Sequence, residues 1–435
     1  MLTADSVVPA PDTRLIGEIE SFLWDIVADL TPEPPPVSGP GRPRILPALA
    51  LWAGLLVCVL RGFSSQLALW RLLSHQGVWH FPRCFITDQA VYARLARSGT
   101  APLETFFAQV TAVLTERLRP VQDGTLAPFA TEVVALDTTT LDHIRRKLPA
   151  LRGVPQGDKQ LLPGKLQALF DVRRQVWRTI AFTPDPDQND KVNARDLAAT
   201  LPPGSLLLAD LGYFGFAWLD WLTEEGYFWV SRLREKTSYQ VIHCYYAHGT
   251  TFDGLIWLGA HRADRAAHAV RLVTFPVGGR LHRYITNVRD PQHLPPRMLA
   301  TLYARRWDIE MAFQLIKQHL GLHLLWSAKP VVVQQQVLAV LIIAQVLQAL
   351  RLEMAWRAGA DPFEVSLPLF IQYAPFYASQ GQDPVQVFVE DGRRLGFIRP
   401  SRRTVIRGPT LPETWTPLPP TLALLRVPRY AGRRC

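Results

Sequence analysis

Three acidic residues stand where the sequence pattern changes, and their chemistry suits metal-assisted reactions at phosphate. Asp137 ends the short apolar segment EVVALD, and Asp210 ends the apolar segment SLLLAD. Glu310 lies in the stretch LYARRWDIEMAFQLIKQHLG (302–321), which has helical periodicity. Carboxylate oxygens are the ligands that Mg²⁺ prefers, and two such ions can activate an attacking hydroxyl and stabilise the leaving oxygen. Taken singly, either aspartate is equally well explained as a turn-forming residue after a strand.

The stretch that carries Glu310 also gathers polar side chains on one side. On a single helix at about 100° per residue, four of them fall within about 60° of one another: Tyr303, Arg306, Glu310 and Lys317. They border the apolar face without belonging to it, so we expect them at the rim of the core. Asp308 falls far from this stripe and is expected in solvent. Basic side chains that merely cover apolar surface remain the alternative.

The net charge of the chain points to a polyanionic partner. The 435 residues include 47 lysines and arginines against 37 aspartates and glutamates, a formal net charge of +10. A basic surface of this size most often binds nucleic acid, although a basic but inert protein remains the alternative. The hydrophobic content of 48% is enough for large buried cores.

Cysteine usage and hydropathy favour a cytoplasmic protein with no membrane partner. The longest apolar run, residues 45–60, contains Pro47 and is too short for a membrane span, so we expect a buried helix. The chain opens without the basic-then-apolar pattern of a signal peptide. Four scattered cysteines show no CxxC spacing, so we expect reduced thiols and neither a disulfide framework nor a zinc site: Cys58, Cys84, Cys244 and Cys435.

The N-terminal third has helical patterns after a proline-rich linker, TPEPPPVSGPGRPR (31–44). SSQLALWRLLSHQG and TDQAVYARLARSG predict two short amphipathic helices joined by a segment rich in aromatic and turn residues. This arrangement is compatible with a helix-turn-helix, and equally with a plain helical hairpin. In the first case the second helix would present four side chains to DNA: Gln89, Tyr92, Arg94 and Arg97.

Beyond about residue 130 the periodicity changes to that of strands. KLQALFDVRR and QVWRTIAFTP predict two antiparallel strands around a short turn, and helices are expected in NARDLAATLPPG and GFAWLDWLTEEG. Residues 231–295 are strand-like and separate Asp210 from the helix of Glu310, which indicates a β-rich insertion. Helices resume with VVVQQQVLAVLIIAQVLQALRLEMAWRAG, and a basic, proline-rich tail begins at about residue 391.

The helix at 302–321 resembles the YREK signature of DDE-type bacterial insertion-sequence transposases. That signature is Tyr, two residues, Arg, three residues, Glu, six residues, Lys, and the four polar residues of the stripe match it without a gap. The resemblance extends to ALDTTT and LLLADLGYF as the two aspartate motifs and covers roughly residues 130–350. One departure is Leu211, where many relatives carry Arg after the second Asp; it leaves one backbone contact in doubt.

The resemblance implies a ribonuclease-H-like core and a set of functional residues. The fold expected is α/β, a mixed sheet flanked by helices, with a β-rich insertion and an α-helical N-terminal domain. Asp137, Asp210 and Glu310 would be the catalytic triad and bind two Mg²⁺ ions, which Mn²⁺ can replace. Tyr303, Arg306 and Lys317 would contact DNA phosphates or the transposon end. Trp229 and Trp257 are expected in the core; the alternative that the resemblance implies is an aromatic residue of the insertion that stacks a flipped base, without an indication of which one.

Breaks in the helix and strand patterns, together with the resemblance, divide the chain into five segments. They are residues 1–128, a helical DNA-binding domain; 129–232, the first part of the catalytic core; 233–295, the β-rich insertion; 296–355, the second part of the core; and 356–435, a helical and basic proline-rich tail.

The function expected is that of a DNA transposase in the bacterial cytoplasm, associated with the nucleoid. It would bind the inverted-repeat ends of its element, cut them with Mg²⁺ and join the 3′ ends to target DNA, with a homodimer in the synaptic complex. One rival is a catalytically idle DNA-binding relic. Another is a ribonuclease-H-fold nuclease without strand transfer, which would not need the Tyr, Arg and Lys at this spacing.

Overall fold

The structure, a computed structural model, describes most of the chain from Ile45 to Tyr430. The described ranges are 45–79, 81–141, 164–260, 265–322, 325–327, 329–401, 403, 405–410 and 412–430. The predicted linker at 31–44 and Cys435 lie outside these ranges.

In the described part of the chain, nine strands form one mixed sheet with the order β3-β2-β1-β4-β5-β9-β8-β7-β6. The strands are β1 Val133–Thr140, β2 Lys165–Asp171, β3 Val176–Thr183, β4 Leu206–Ala209, β5 Phe228–Arg232, β6 Tyr239–His248, β7 Thr251–Leu258, β8 Val270–Val277 and β9 Arg280–Thr286. β1 pairs in parallel with β4, and β4 with β5; the remaining pairs are antiparallel. The predicted mixed α/β class and the β2–β3 hairpin are therefore confirmed.

The predicted insertion adds four strands to the same sheet. β9 pairs with β5 through Val230 and Thr286, and β8, β7 and β6 follow outward. β6 was not singled out by the sequence patterns, because only a short part of it is buried. The insertion therefore extends the sheet beyond the edge that β5 would otherwise form.

The helices of the described chain lie on both faces of this sheet. They are α1 Ala48–Leu60, α2 Gln66–Arg71, α3 Asp88–Arg97, α4 Ala101–Arg117, α5 Ala194–Ala198, α6 Phe216–Glu224, α7 Pro296–Arg305, α8 Trp307–Gln318, α9 Pro330–Ala358, α10 Leu367–Ser379 and α11 Pro384–Glu390.

Alternation along the strands explains the two layers of helices. In β1, Val133 and Ala135 belong to the core shared with α1–α4 and α7–α9. Val134 and Leu136 belong to a second core on the opposite face, shared with α5 and α6. Successive side chains of a strand point to opposite faces, so this central strand is apolar on both sides.

The long helix α9 is the centre of the larger core. It packs against α1 and α4 from the N-terminal region and against β3 and α8 from the sheet side. Its buried Gln335 amide donates to the carbonyls of Leu95 and Gly99, and Gln345 donates to Thr111. The N-terminal helices therefore share one core with the sheet.

Length and hydropathy alone would allow α9 to cross a membrane. However, 83% of its most apolar 18-residue window is buried inside the fold. α9 is therefore the core helix of this fold. The predicted apolar run at 45–60 forms the buried helix α1, as expected.

Two element boundaries differ from the sequence predictions. β1 continues three residues past Asp137. Only the fully buried part of the strand ends just before Asp137, at Leu136. The stretch 302–321 forms the end of α7 and then α8, with Arg306 as the joint between them. The Arg306 amide donates to the carbonyl of Tyr303, three residues back, so the last turn of α7 is tighter than an α-helix.

Candidate active site

Asp137 and Asp210 lie side by side on neighbouring parallel strands. Leu136 pairs with Ala209 in the register of β1 and β4, and each aspartate is the next residue along its strand direction. Neighbouring strands run about 4.8 Å apart. Val133, Ala135 and Asp137 alternate onto the face that α8 covers. The two aspartates are therefore neighbours at the end of the fully buried part of β1 and β4.

Arg306 connects the third acid to this pair. Its Nη2 donates to Glu310 Oε1 at 2.7 Å, and its Nη1 donates to Asp137 Oδ2 at 3.4 Å. α8 packs directly against β1, which brings Glu310 to the sheet across 173 residues of sequence from Asp137. The structure thus gathers Asp137, Arg306 and Glu310 in one row, with Asp210 beside Asp137.

The Asp137 carboxyl is largely removed from solvent and lies within the electrostatic influence of Glu310 and Asp210. Burial raises the pKa of its carboxyl to about 6, against an ordinary value of 3.8. The amide of Thr138 and the charge of Arg306 lower this pKa, whereas the charges of Glu310 and Asp210 raise it. A carboxylate that is crowded by two others and partly desolvated favours binding of a cation.

A hydrogen-bonded group that the sequence did not reveal fixes the backbone at Asp137. The Thr138 amide donates to Asp137 Oδ1 at 2.8 Å, and the Thr138 hydroxyl meets the Tyr213 hydroxyl at 2.7 Å. Gln167, on the adjacent strand β2, donates to the same Tyr213 hydroxyl at 2.8 Å. Tyr213 follows Asp210 by three residues, so this network connects the two aspartate motifs.

Tyr303 and Arg306 lie deeper than the predicted rim, since each is only 4% exposed. The prediction that they border the buried face without belonging to it is wrong. The joint between α7 and α8 is covered on two sides, by β1 next to Arg306 and by the β2–β3 turn next to Asp308. Arg306 stacks near the rings of Tyr303 and Trp307, at 6.0 and 5.1 Å. The Tyr303 hydroxyl and Arg306 Nε are buried without a hydrogen-bond partner among the described residues.

The other predicted contacts lie farther from the acids. Lys317 is half-buried on α8, two turns beyond Glu310. The four residues of the predicted recognition helix lie on α3, which packs against α2 and α9 and is not part of the sheet layer. On α3, Gln89 and Arg97 are exposed, whereas Tyr92 and Arg94 are half-buried.

The prediction that Asp308 is solvated is wrong: it is 1% exposed. Its Oδ2 accepts hydrogen bonds from Arg305 Nε at 2.5 Å and from Gln175 Nε2 at 2.9 Å. Periodicity placed Asp308 opposite the polar stripe, which is correct. The error arose because that opposite side of the helix faces the β2–β3 turn and not solvent.

A cavity of about 670 Å³ opens beside Tyr303. Basic and aromatic side chains from β5, β9, α7 and α8 contribute to its wall. Among them are Arg232, Arg280, His282, Tyr284, Tyr303 and Trp307. Alternation along the strand sequence RLHRYIT puts residues 280, 282 and 284 on one face of β9. This pattern is the sequence signal from which this side of the cavity could have been predicted.

Leu211, the departure from the relatives' pattern, has a cation beside it. Arg234 Nη2 donates to the Leu211 carbonyl at 3.0 Å, and its guanidinium lies 5.2 Å from the Phe214 ring. Arg234 is exposed at the start of the insertion. A positive charge therefore stands next to the loop of Asp210 even though residue 211 carries none.

The carboxylate oxygens of Asp137, Asp210 and Glu310 are suitable ligands for a hard divalent cation, although their side chains do not converge on one point. In the described ranges, no group of three or more His, Cys, Asp or Glu side chains is placed to hold a metal ion. Asp137 and Glu310 instead hold the Arg306 guanidinium between them. Two carboxylates that already share one cation, with a third beside them, supply the oxygen ligands that Mg²⁺ requires.

The chain matches the family model described as "Transposase DDE domain" over residues 128–346, just over half of its length. It therefore belongs to the family of DDE-domain transposases. Members of this family generally use a divalent metal ion.

Two curated relatives are each similar to part of the chain. The chain is 26% identical over 188 residues to the putative transposase y4zB of Sinorhizobium fredii, covering 41% of this chain and 51% of the relative. It is 27% identical over 211 residues to the transposase InsG for insertion sequence element IS4 of Escherichia coli, covering 46% of this chain and 47% of the relative. The matches thus span about half the length of each relative.

Among solved structures, the chain matches the cryo-EM structure of the piggyBac transposase synaptic complex with hairpin DNA. That match has a TM-score of 0.36 and 10% identity, and covers 81% of this chain and 76% of the other.

Proposed function

We propose that this protein is a DNA transposase that cuts the inverted-repeat ends of its element and joins them to target DNA. The observation that carries the proposal is the row of Asp137, Arg306 and Glu310, with Asp210 on the neighbouring parallel strand. Family membership, which rests on residues 128–346, supports the same activity.

In this proposal Asp137, Asp210 and Glu310 hold two Mg²⁺ ions, for which Mn²⁺ can substitute. Bound Mg²⁺ lowers the pKa of the attacking water or 3′-hydroxyl and stabilises the leaving oxygen. Arg306 balances the charge of Asp137 and Glu310 and supplies donors toward a DNA phosphate. The Tyr303 hydroxyl and Lys317 add phosphate contacts on the same pair of helices.

Two further features suit DNA near the cut. Arg234 supplies the positive charge that is absent at Leu211. The cavity beside Tyr303 combines arginines with the rings of Tyr284 and Tyr303, a lining suited to a phosphate and an unstacked base.

Recognition of the ends is assigned to the N-terminal helices. α3 presents the exposed Gln89 and Arg97, and the net charge of +10 favours binding of the DNA backbone. We assign Tyr92 and Arg94 to the edge of the same surface. A homodimer that holds two ends in a synaptic complex, in the bacterial cytoplasm and at the nucleoid, completes the proposal.

The test uses purified protein, Mg²⁺, labelled DNA that carries the inverted repeats of the element, and a target plasmid. The proposal requires cleavage at the repeat ends and end-joined plasmid products, both abolished by a chelator. End binding without cleavage would instead favour the idle DNA-binding relic. Cleavage without joined products would favour the nuclease without strand transfer.

A further inference from the structure

The joint between α7 and α8 carries two ion pairs that face in different directions. Arg306 and Glu310 face Asp137, whereas Arg305 and Asp308 face the β2–β3 turn. If each residue turns the helix by about 100°, the average direction of Arg306 and Glu310 differs from that of Arg305 and Asp308 by about 150° around the helix axis. The beginning of α8 is therefore held from two nearly opposite sides.

The Arg305 side chain is fully engaged on the buried side. Its Nε donates to Asp308 Oδ2 at 2.5 Å, its Nη1 to Asp123 Oδ2 at 3.0 Å and its Nη2 to the Val172 carbonyl at 2.9 Å. Val172 belongs to the turn between β2 and β3. Every nitrogen of this planar group thus has a fixed acceptor, which leaves it little freedom to rotate.

Asp308 is connected to a third element through Gln175. Gln175 Nε2 donates to Asp308 Oδ2 at 2.9 Å, and Gln175 Oε1 accepts from Arg351 of α9 at 3.0 Å. Gln175 holds this position in the β2–β3 turn with a φ of 60°, in the left-handed region. The carboxylate of Asp308 therefore ties α8 to the sheet and, through Gln175, to α9.

We infer that Arg305 and Asp308 are positioning residues that set the rotation of α8 and so aim Glu310 and Arg306 at Asp137. This inference rests on the proposed metal-dependent activity. A side-chain atom lies about 6 Å from the helix axis, so a rotation of about 20° would move it by about 2 Å. Such a shift would separate Glu310 from a metal shared with Asp137, since ligand distances tolerate only tenths of an ångström.

The experiment compares Asp308→Asn with Asp253→Asn. Asp253 is a matched control, since its carboxylate is buried and accepts two 2.7 Å hydrogen bonds from the buried Arg271 in the insertion strands. Both variants remove one buried charge and keep the side-chain shape. The measurements are the crystal structure of the metal-free variant, Mn²⁺ affinity by calorimetry, and single-turnover cleavage at saturating Mg²⁺, each at a temperature where the variant is folded.

For Asp308→Asn we expect the 3.4 Å contact between Arg306 Nη1 and Asp137 Oδ2 to be lost. We also expect at least a tenfold weaker Mn²⁺ affinity and at least a tenfold slower cleavage. Asp253→Asn should lower the melting temperature comparably but stay within threefold of wild type in metal affinity and rate. If Asp308→Asn is poorly folded, Gln175→Asn, which is shorter and tolerates the left-handed backbone, should shift the same measurements in the same direction.

Retention of the Arg306–Asp137 contact in Asp308→Asn, or in Gln175→Asn if it replaces that variant, would overturn the inference. So would a metal affinity equal to that of Asp253→Asn. Failure of the proposed function has a different outcome: wild-type protein would neither bind Mn²⁺ nor cut the DNA. In that case the crystal structures alone decide whether Asp308 orients α8.

Discussion

Arg306 Nη2 lies 2.7 Å from Glu310 Oε1, four residues along the chain, while the same guanidinium reaches across to the sheet. The joint between α7 and α8 thus places a positive charge between acids that come from distant parts of the sequence. The expected effects of substitution follow from this arrangement.

Removal of any one acid should abolish catalysis and spare DNA binding. We expect Asp137→Ala, Asp210→Ala and Glu310→Ala each to lose cleavage while end binding in a gel-shift assay stays within about threefold of wild type. The reason is that metal-assisted phosphoryl transfer requires the complete set of carboxylate ligands. Asp196→Asn, an exposed acid on α5, is the control. Substantial cleavage by any of the three variants would contradict the triad.

Arg306 and Lys317 should differ in their effect on stability. Arg306→Ala leaves Asp137 and Glu310 without their shared cation, so the metal-free protein should melt at a lower temperature and Mg²⁺ should restore part of the loss. Lys317→Ala should keep the wild-type melting temperature, since Lys317 is only half-buried.

Both variants should cut about ten- to a thousandfold more slowly, as when a donor to developing phosphoryl charge is removed. Melting and single-turnover cleavage are measured on the same preparations. Near-normal cleavage per folded molecule would show that these side chains only cover apolar surface.

The Asp137 carboxyl should make folding stability depend on pH. Its pKa in the folded protein is about 6, above the ordinary 3.8, so between these values the folded state binds more protons than the unfolded state. Stability in a chelator should therefore fall as pH rises from about 4 to 6 and then level off. Two pKa units correspond to about 3 kcal/mol at most, and partial solvent access to Asp137 reduces this figure.

Asp137→Asn is the matched variant, because the amide has the same shape and does not titrate. Its stability relative to wild type should increase between pH 4 and 6, as measured by denaturant unfolding at each pH. A difference that is constant across this range would show that Asp137 ionises with an ordinary pKa.

The exposed residues of α3 should affect DNA binding but not folding. Arg97→Ala and Gln89→Ala should weaken end binding, and Arg97→Ala should also reduce the slope of log affinity against log salt by about one. Arg119→Ala, which removes an exposed arginine paired with Glu116, is the control. Deletion of the whole region is a poor test, because α1 and α4 cover the apolar surface of α9. Unchanged end affinity in both α3 variants would reject this helix as the recognition element.

Local sequence patterns predicted most of the strands and helices and the candidate acids. A run of apolar residues that ends in Asp indicates a buried strand with a polar terminus, and β4 with Asp210 has this form. The spacing from Tyr303 to Lys317 could be recognised because a helical repeat is a local property. Alternation along β1 also predicts that Asp137 lies on the same face of the sheet as Ala135.

Only the tertiary structure decided which of these side chains meet and which are buried. The parallel register of β1 and β4, which makes Asp137 and Asp210 neighbours, depends on pairing across about 70 residues. Periodicity gave the direction of Asp308 around its helix but not what lies there. Its partner Gln175 comes from a turn 133 residues earlier, so a residue expected in solvent is instead buried. A local repeat fixes angles around one helix, whereas burial depends on the surfaces that distant segments bring against it.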